Sequence, residues 1–170
     1  MRGGPAKAAI LGSGMTGLIS GSSIANTVTT GTFTIPIMKK TGFSKEKAGA
    51  IEVSSSVNGQ LMPPVMGAAA FVMASFLGVT YYEVVKHAFL PAIISYVALF
   101  YISHLEALKL NLKGMDDSDV PNLKKTFLSG LHFLIPIFVL VYMLVYLRFT
   151  ASYSIFFATI TLIIVNLGYI

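Results

Sequence analysis

No cysteine occurs in this 170-residue chain, and charge is scarce, with Asp, Glu, Lys and Arg together at 11%. Without cysteine there is no disulfide framework, no thiolate nucleophile and no Cys-ligated zinc site. Soluble globular domains carry about 25% charged residues. Charge at less than half that level, beside 55% apolar residues, marks an integral membrane protein. The three histidines, His87, His104 and His132, fall near span ends or on apolar faces, which suits packing or interfacial roles better than a metal site. An intramembrane enzyme also lacks its parts, since no Ser/His or paired-Asp constellation lies within an apolar stretch. The net charge of +5 is therefore read for topology and not as a nucleic-acid signal.

What the chain does have is two long apolar runs, each interrupted in its middle. Ala8 to Met38 is 31 residues without a charge, broken at Gly21-Ser22-Ser23-Ile24-Ala25-Asn26. Ala48 to Tyr82 carries only Glu52 and is broken at Asn58-Gly59-Gln60-Leu61-Met62-Pro63-Pro64. About 20 apolar residues already span a bilayer, so neither run is an ordinary anchor. Non-helical backbone at membrane depth survives only where protein buries it or a wet cavity lies beside it. Two such breaks point to a solute or ion site in a transporter. Met1-Arg2 and the apolar residues after it loosely mimic a signal peptide. Lys7 and Gly12-Ser13-Gly14 interrupt that pattern, and an uncleaved segment is expected.

The basic residues decide how the first run lies. Arg2 and Lys7 precede it; Lys39, Lys40, Lys45 and Lys47 follow it. A single crossing would put basic clusters on both faces, against the positive-inside rule. A re-entrant hairpin puts both on one side, and 31 residues suit two half-membrane helices better than one helix about 46 Å long. The fold expected is all-α and membrane-embedded: a re-entrant helical hairpin over 5–40, a discontinuous transmembrane helix over 44–79 and a return helix over 84–104. These make a transport portion, 1–104. A cytoplasmic linker over 105–126 follows, then ordinary, scaffold-like transmembrane helices over 127–170. Ten of the 12 basic residues then lie inside, Lys86 and Arg148 being the exceptions. Pro91 and Pro136, inside apolar spans, are expected to kink them.

At the first break, Gly21 permits backbone angles that other residues avoid, and Ser22, Ser23 and Asn26 add oxygens that can cap a helix or face an ion. Carbonyls freed where the incoming half-helix ends suit a cation, and the opposing N-terminus near Asn26-Thr27 suits an anion. Helix packing through small residues is the alternative meaning of the same residues. Thr27, Thr29, Thr30, Thr32 and Thr34 would read as a strand in water; in a bilayer, a helix with back-bonding threonines is expected, with Thr30 the one that joins the site. At the second break, Pro63 and Pro64 lack N–H groups, so the carbonyls of Gly59 and Gln60 are expected to be free, beside the Asn58 and Gln60 side chains. Of Ser54, Ser55 and Ser56, at least one must face protein or water. Glu52 is open to two readings: cation or proton coupling, and interfacial pairing with Lys45 or Lys47, the latter slightly favoured.

These residues resemble a known family. Gly3-Gly4, Ile19 to Asn26, Gly31, Pro36 to Lys40, Gly42 and Gly59 to Pro64 are similar to the large membrane subunit of tripartite ATP-independent periplasmic (TRAP) transporters. Thr29 to Pro36, Pro63 to Ala74 and His104-Leu105-Glu106-Ala107 resemble its TAXI branch, whose permease subunits are commonly fused. The resemblance implies sodium-driven, elevator-type uptake of an organic acid handed over by a periplasmic TAXI-type solute-binding protein, in a bacterial or archaeal inner membrane. It also implies two inverted repeats, of which this chain is expected to hold the first hairpin and first broken helix, with the remaining permease segments as partners beside membrane lipid.

Carried onto this sequence, the resemblance makes Gly21, Ser22, Ser23, Asn26, Asn58, Gly59 and Met62 candidates for a sodium site. Ser23, Asn26, Thr30, Gln60 and Pro63 are the candidates for substrate. Sodium is the coupling ion expected, with no other cofactor and no nucleic-acid partner. No arginine lies near either break to grip a carboxylate. The competing reading is a non-transporting membrane scaffold or assembly subunit whose breaks only pack. A channel is less suited, because dead-end half-helices favour occlusion.

Overall fold

The computed structural model describes residues 3–63, 66–112, 128 and 130–167. The chain divides into two compact units, Met1–Asp116 and Asp117–Ile170. In the first unit, α1 (Gly4–Ser20) and α2 (Ser23–Lys40) are joined by Gly21-Ser22 alone. Gly21 sits at φ 58°, the left-handed conformation that ends α1, and its N–H bonds back to the Gly17 carbonyl. Ser22 is extended and its hydroxyl accepts from the Ala25 N–H, which starts α2. A helix stop and a helix start in adjacent residues leave the chain no course but reversal, so the two helices pack on each other as a hairpin.

α2 is helical despite its β-branched content. The Thr29, Thr30, Thr32 and Thr34 hydroxyls donate to carbonyls three or four residues earlier, as the sequence predicts for a helix in apolar surroundings. Ser44 then caps α3 (Lys45–Leu61), which packs against both hairpin helices. Next comes α4 (Ala68–Leu77), and Thr80 caps α5 (Tyr81–Lys109). α3 and α4 lie within residues 44–79. The return helix is longer than expected, running on through Leu105–Lys109; the rest of the expected linker, from 113 to 126, lies outside the described residues.

At 29 residues α5 is about 43 Å long. Among the described residues it is the one helix both long and apolar enough to cross a membrane. Leu90, Val97, Tyr101 and Ile102 stand exposed along it. The core of the first unit lies at the charged end of the helices, where Ala6, Ala9, Ile10, Met38, Ala48, Ile51 and Ala107 pack together. A smaller cluster of Met66, Ala70, Val84 and Val85 joins the break to α5.

In the second unit, a 3₁₀ turn over Leu131–Phe133 leads into α6 (Leu134–Val141), a π-helical stretch over Tyr142–Tyr146, and then α7 (Ala151–Leu167). Pro136 cannot donate to the carbonyl four residues earlier, which accounts for the tighter turn before it in place of a kink within a continuous helix.

Candidate functional site

The hairpin turn and the helix interruption meet. A Cβ placed on Gly21 would lie 3.0 Å from the Met66 carbonyl oxygen, and one on Gly67 would lie 3.0 Å from the Gly21 oxygen. The Gln60 side-chain amide donates to that same Gly21 oxygen at 3.3 Å. Four helix ends therefore share one place. The C-terminal ends of α1 and α3 bring partial negative charge; the N-terminal ends of α2 and α4 bring partial positive charge. Met66 holds φ 45°, uncommon for a residue with a side chain, and is buried.

The interruption differs from expectation in its position and bonding. Asn58, Gly59 and Gln60 remain within α3, and the backbone leaves the helix only at Met62. Their carbonyls are not free: Gly59 accepts from the Met62 N–H at 3.4 Å, and Gln60 accepts from the Gly67 N–H at 2.9 Å. Pro63 does deny Gly59 its ordinary helical partner, as the sequence implies, but the chain folds back and supplies substitutes. Pro64, the other half of that expectation, lies outside the described residues. Met62 and Pro63 are half-buried in the turn itself.

Below the tip the helices approach until backbone meets backbone. A Cβ on Gly17 would stand 2.6 Å from the Gly59 Cα, and one on Gly59 would stand 2.7 Å from the Gly17 Cα. Only a glycine pair permits this spacing. The consequence is that polar groups on all three helices reach one another directly. Asn26 is buried, and its amide nitrogen donates to the Ser13 carbonyl at 2.8 Å, the Ser13 hydroxyl at 3.0 Å and the Ser56 hydroxyl at 3.3 Å. Its side-chain oxygen accepts from Thr16 at 2.6 Å. Ser13 and Ser56 are 3.0 Å apart.

One turn further, Glu52 is fully buried. Thr30 and Thr34 both bond its carboxyl group, Thr34 at 2.6 Å, and the Ser56 hydroxyl lies 3.4 Å away. This corrects the interfacial reading of Glu52. Lys47 pairs with Glu106 on α5 instead, because Glu52 and Lys47 are five residues apart and project from different sides of α3.

The residues singled out in the sequence thus fall in three places. Gly21 and Gln60 meet at the tip, with Ser22 capping α2 and Ser23 half-buried in its first turn. Asn26 and Thr30 face the buried seam. Asn58 turns to α5, where its oxygen accepts from Ser95 at 2.9 Å, while Gly59 serves the helix contact. Sequence reasoning missed Ser13, Thr16 and Thr34. The signal for Thr34 is its spacing of four from Thr30 on the same helix face. Ser13 and Thr16 fall with Gly17 on the face of α1 that meets α3.

The sequence profile described as "Tripartite ATP-independent periplasmic transporter, DctM component" matches residues 1–169. The chain belongs to the DctM family. Neither a curated protein nor a solved structure matches it significantly. The DctM family indicates a permease role in a TRAP transporter; it is a family of integral inner-membrane transporter components and not an enzyme class. The family also implies association with a periplasmic solute-binding protein and further TRAP components.

Proposed function

We propose that this DctM protein couples sodium entry to the import of an organic acid handed over by a TAXI-type periplasmic binding protein, with the α1–α2 hairpin re-entrant in the membrane. The observation that carries this reading is the meeting of four helix ends at Gly21, Gln60, Met66 and Gly67. The Gly21 carbonyl closes α1, where the helix dipole is negative, and the Met66 carbonyl lies beside it; such oxygens suit a monovalent cation. The N–H groups opening α2 and α4, around Ser23 and Ala68, suit a carboxylate without help from an arginine. Gln60 spans the two, since its amide holds the Gly21 carbonyl in place. Of the proposed sodium ligands, Gly21, Ser22, Ser23 and Met62 border this place. Asn26, Asn58 and Gly59 would act by holding the helices that shape it.

The test is thermal unfolding of the purified chain in detergent, with sodium titrated against potassium at constant ionic strength. A sodium-specific rise that disappears in Gln60→Ala supports the reading. Equal curves for the two cations, in protein that binds its solute-binding partner, would overturn sodium coupling. Uptake into proteoliposomes with that partner, across a panel of mono- and dicarboxylates, then identifies the solute class.

A further inference from the structure

The end of the first unit opposite the tip buries a basic side chain that no acid meets. Lys7, in the first turn of α1, is 6% exposed. Its Nζ donates to Nδ1 of His104 on α5 at 3.1 Å and lies 5.4 Å from the Phe100 ring centroid. An ammonium group has three hydrogens to donate. The imidazole takes one, and the ring face adds electrostatic attraction. Among the described residues no carboxylate pairs with Lys7. The chain's four glutamates are placed elsewhere. Glu106 pairs with Lys47, Glu83 with His87, Glu52 bonds Thr30 and Thr34, and Glu46 is exposed at the start of α3. A buried cation without a counter-ion carries a desolvation cost that a bound anion offsets.

Lys7 and His104 stand at one end of an open groove of about 560 Å³ between α1 and α5. Beyond them its walls are apolar, with Ile10 and Leu11 on α1 and Val97 and Phe100 on α5. These residues lie three and four after Lys7 and seven and four before His104, so they continue the same two helix faces. Tyr96 forms the far wall. Its hydroxyl donates to the Ser55 carbonyl of α3 at 3.4 Å, and its ring fills the space Gly14 leaves, where a Cβ would stand 2.9 Å away. Three helices thus shape the groove. Its depth also follows from the helices. At 29 residues α5 exceeds the roughly 20 that cross the hydrocarbon, and His104 lies in its last two turns. Lys39, Lys40, Lys45 and Lys47 belong to the same end of the unit, which the positive-inside rule puts at the cytoplasmic face. The groove therefore runs from headgroup level into the hydrocarbon, basic at its wet end and apolar below.

We propose that this groove binds an anionic phospholipid of the cytoplasmic leaflet, with its phosphate on Lys7 and His104 and one acyl chain along Leu11, Val97 and Phe100. Basic pockets between membrane helices on this side suit such headgroups. A zwitterionic lipid fits less well, because its own ammonium competes with Lys7 for the phosphate. The bound lipid bridges α1 and α5 and holds the foot of the hairpin to the long membrane helix. Lys7 stands 14 residues before Gly21, about 20 Å along α1, so the site does not depend on what the tip binds.

The test is native mass spectrometry of the purified full chain in detergent, titrated with phosphatidylglycerol and, separately, with phosphatidylethanolamine of the same acyl chains. Preferential retention of phosphatidylglycerol is expected. Lys7→Gln should weaken it about five-fold, the effect of one basic residue near an anionic headgroup. Lys40→Gln removes a charge of the same sign from an exposed position at the same end and should leave retention unchanged, which separates a site from general attraction. Leu11→Trp fills the groove from a position 59% exposed and leaves Lys7 in place; it should also lose the lipid, and it decides the matter if Lys7→Gln does not fold. Equal retention of the two lipids, or a preference unchanged in either groove variant, would overturn the proposal and mean that bulk lipid or another helix covers this face. Inorganic phosphate that raises the melting temperature as much as phosphatidylglycerol does would also overturn it, leaving an anion site without a lipid. Sodium is held constant throughout, so failure here leaves the sodium reading of the tip untouched.

Discussion

Gly17→Ala adds one methyl group where α1 and α3 are closest, and the structure sets what it must do. The new Cβ would lie 2.6 Å from the Gly59 Cα, a backbone atom that no rotamer change can move. Carbon atoms rest at about 3.5–4.0 Å, so the helices must part by roughly 1 Å. Overpacking of this kind costs about 1–3 kcal/mol. Alanine's better helix propensity returns about 1 kcal/mol at most. Separation also stretches the Asn26–Ser56 and Ser13–Ser56 bonds, at 3.3 and 3.0 Å, and each weakened bond adds up to about 1 kcal/mol.

The net loss is about 2 kcal/mol, or a melting temperature lower by about 4–8 °C for a chain of this size. Circular dichroism in detergent is the suitable assay, because a chain without cysteine or tryptophan offers neither a thiol-dye nor an indole signal. Gly12→Ala is the control, since a Cβ there meets nothing within 4 Å; it should be neutral or slightly stabilising. Gly17→Ala and Gly59→Ala open the same gap, so the double variant should cost less than the sum of the singles. Wild-type stability in Gly17→Ala, with the control behaving as stated, would show that the helices do not meet there.

Gly21→Ala forces a side chain into the left-handed region and toward the Met66 carbonyl; it should lose about 1–2 kcal/mol, and Gly21→Asn less, in the same melting assay. Asn26→Leu removes the donor to Ser13 and Ser56 and the acceptor for Thr16, leaving buried polar groups unmatched, and should cost about 2–3 kcal/mol, seen also as faster amide exchange in α1 and α2. Lys47→Ala breaks the ion pair with Glu106 at a half-exposed position; a small drop in melting temperature that vanishes at high salt is expected, and a drop that persists at high salt would mean the pair is effectively buried.

The helices themselves were largely legible. Gly21 beside Ser22 carries a stop and a start in two residues, and the threonine run could only be helical once water was excluded. The interruption was legible in kind but not in place. Pro63 and Pro64 announce lost helical bonds, yet whether a carbonyl stays free depends on what else arrives. Here the N–H groups of Met62 and Gly67 arrive, through a left-handed Met66 that local sequence does not demand. Asn58 shows the same limit. Its position beside the break suggested an ion ligand, and its bond to Ser95, 37 residues away, could not be inferred from spacing.

The apolar content, the two interrupted runs and the basic clusters follow from the sequence alone, because hydrophobicity, proline chemistry and charge act residue by residue. Which polar residues meet was decided by tertiary structure. The Gly17–Gly59 contact brings α1 and α3 close enough for Ser13, Asn26 and Ser56 to touch, and the packing of α2 on α3 encloses Glu52 with Thr30 and Thr34. Glu52 stands five residues after Lys47, which reads as interfacial along the chain. In space it is enclosed on every side, because burial depends on which helices pack around a residue and not on its distance from a charge in sequence.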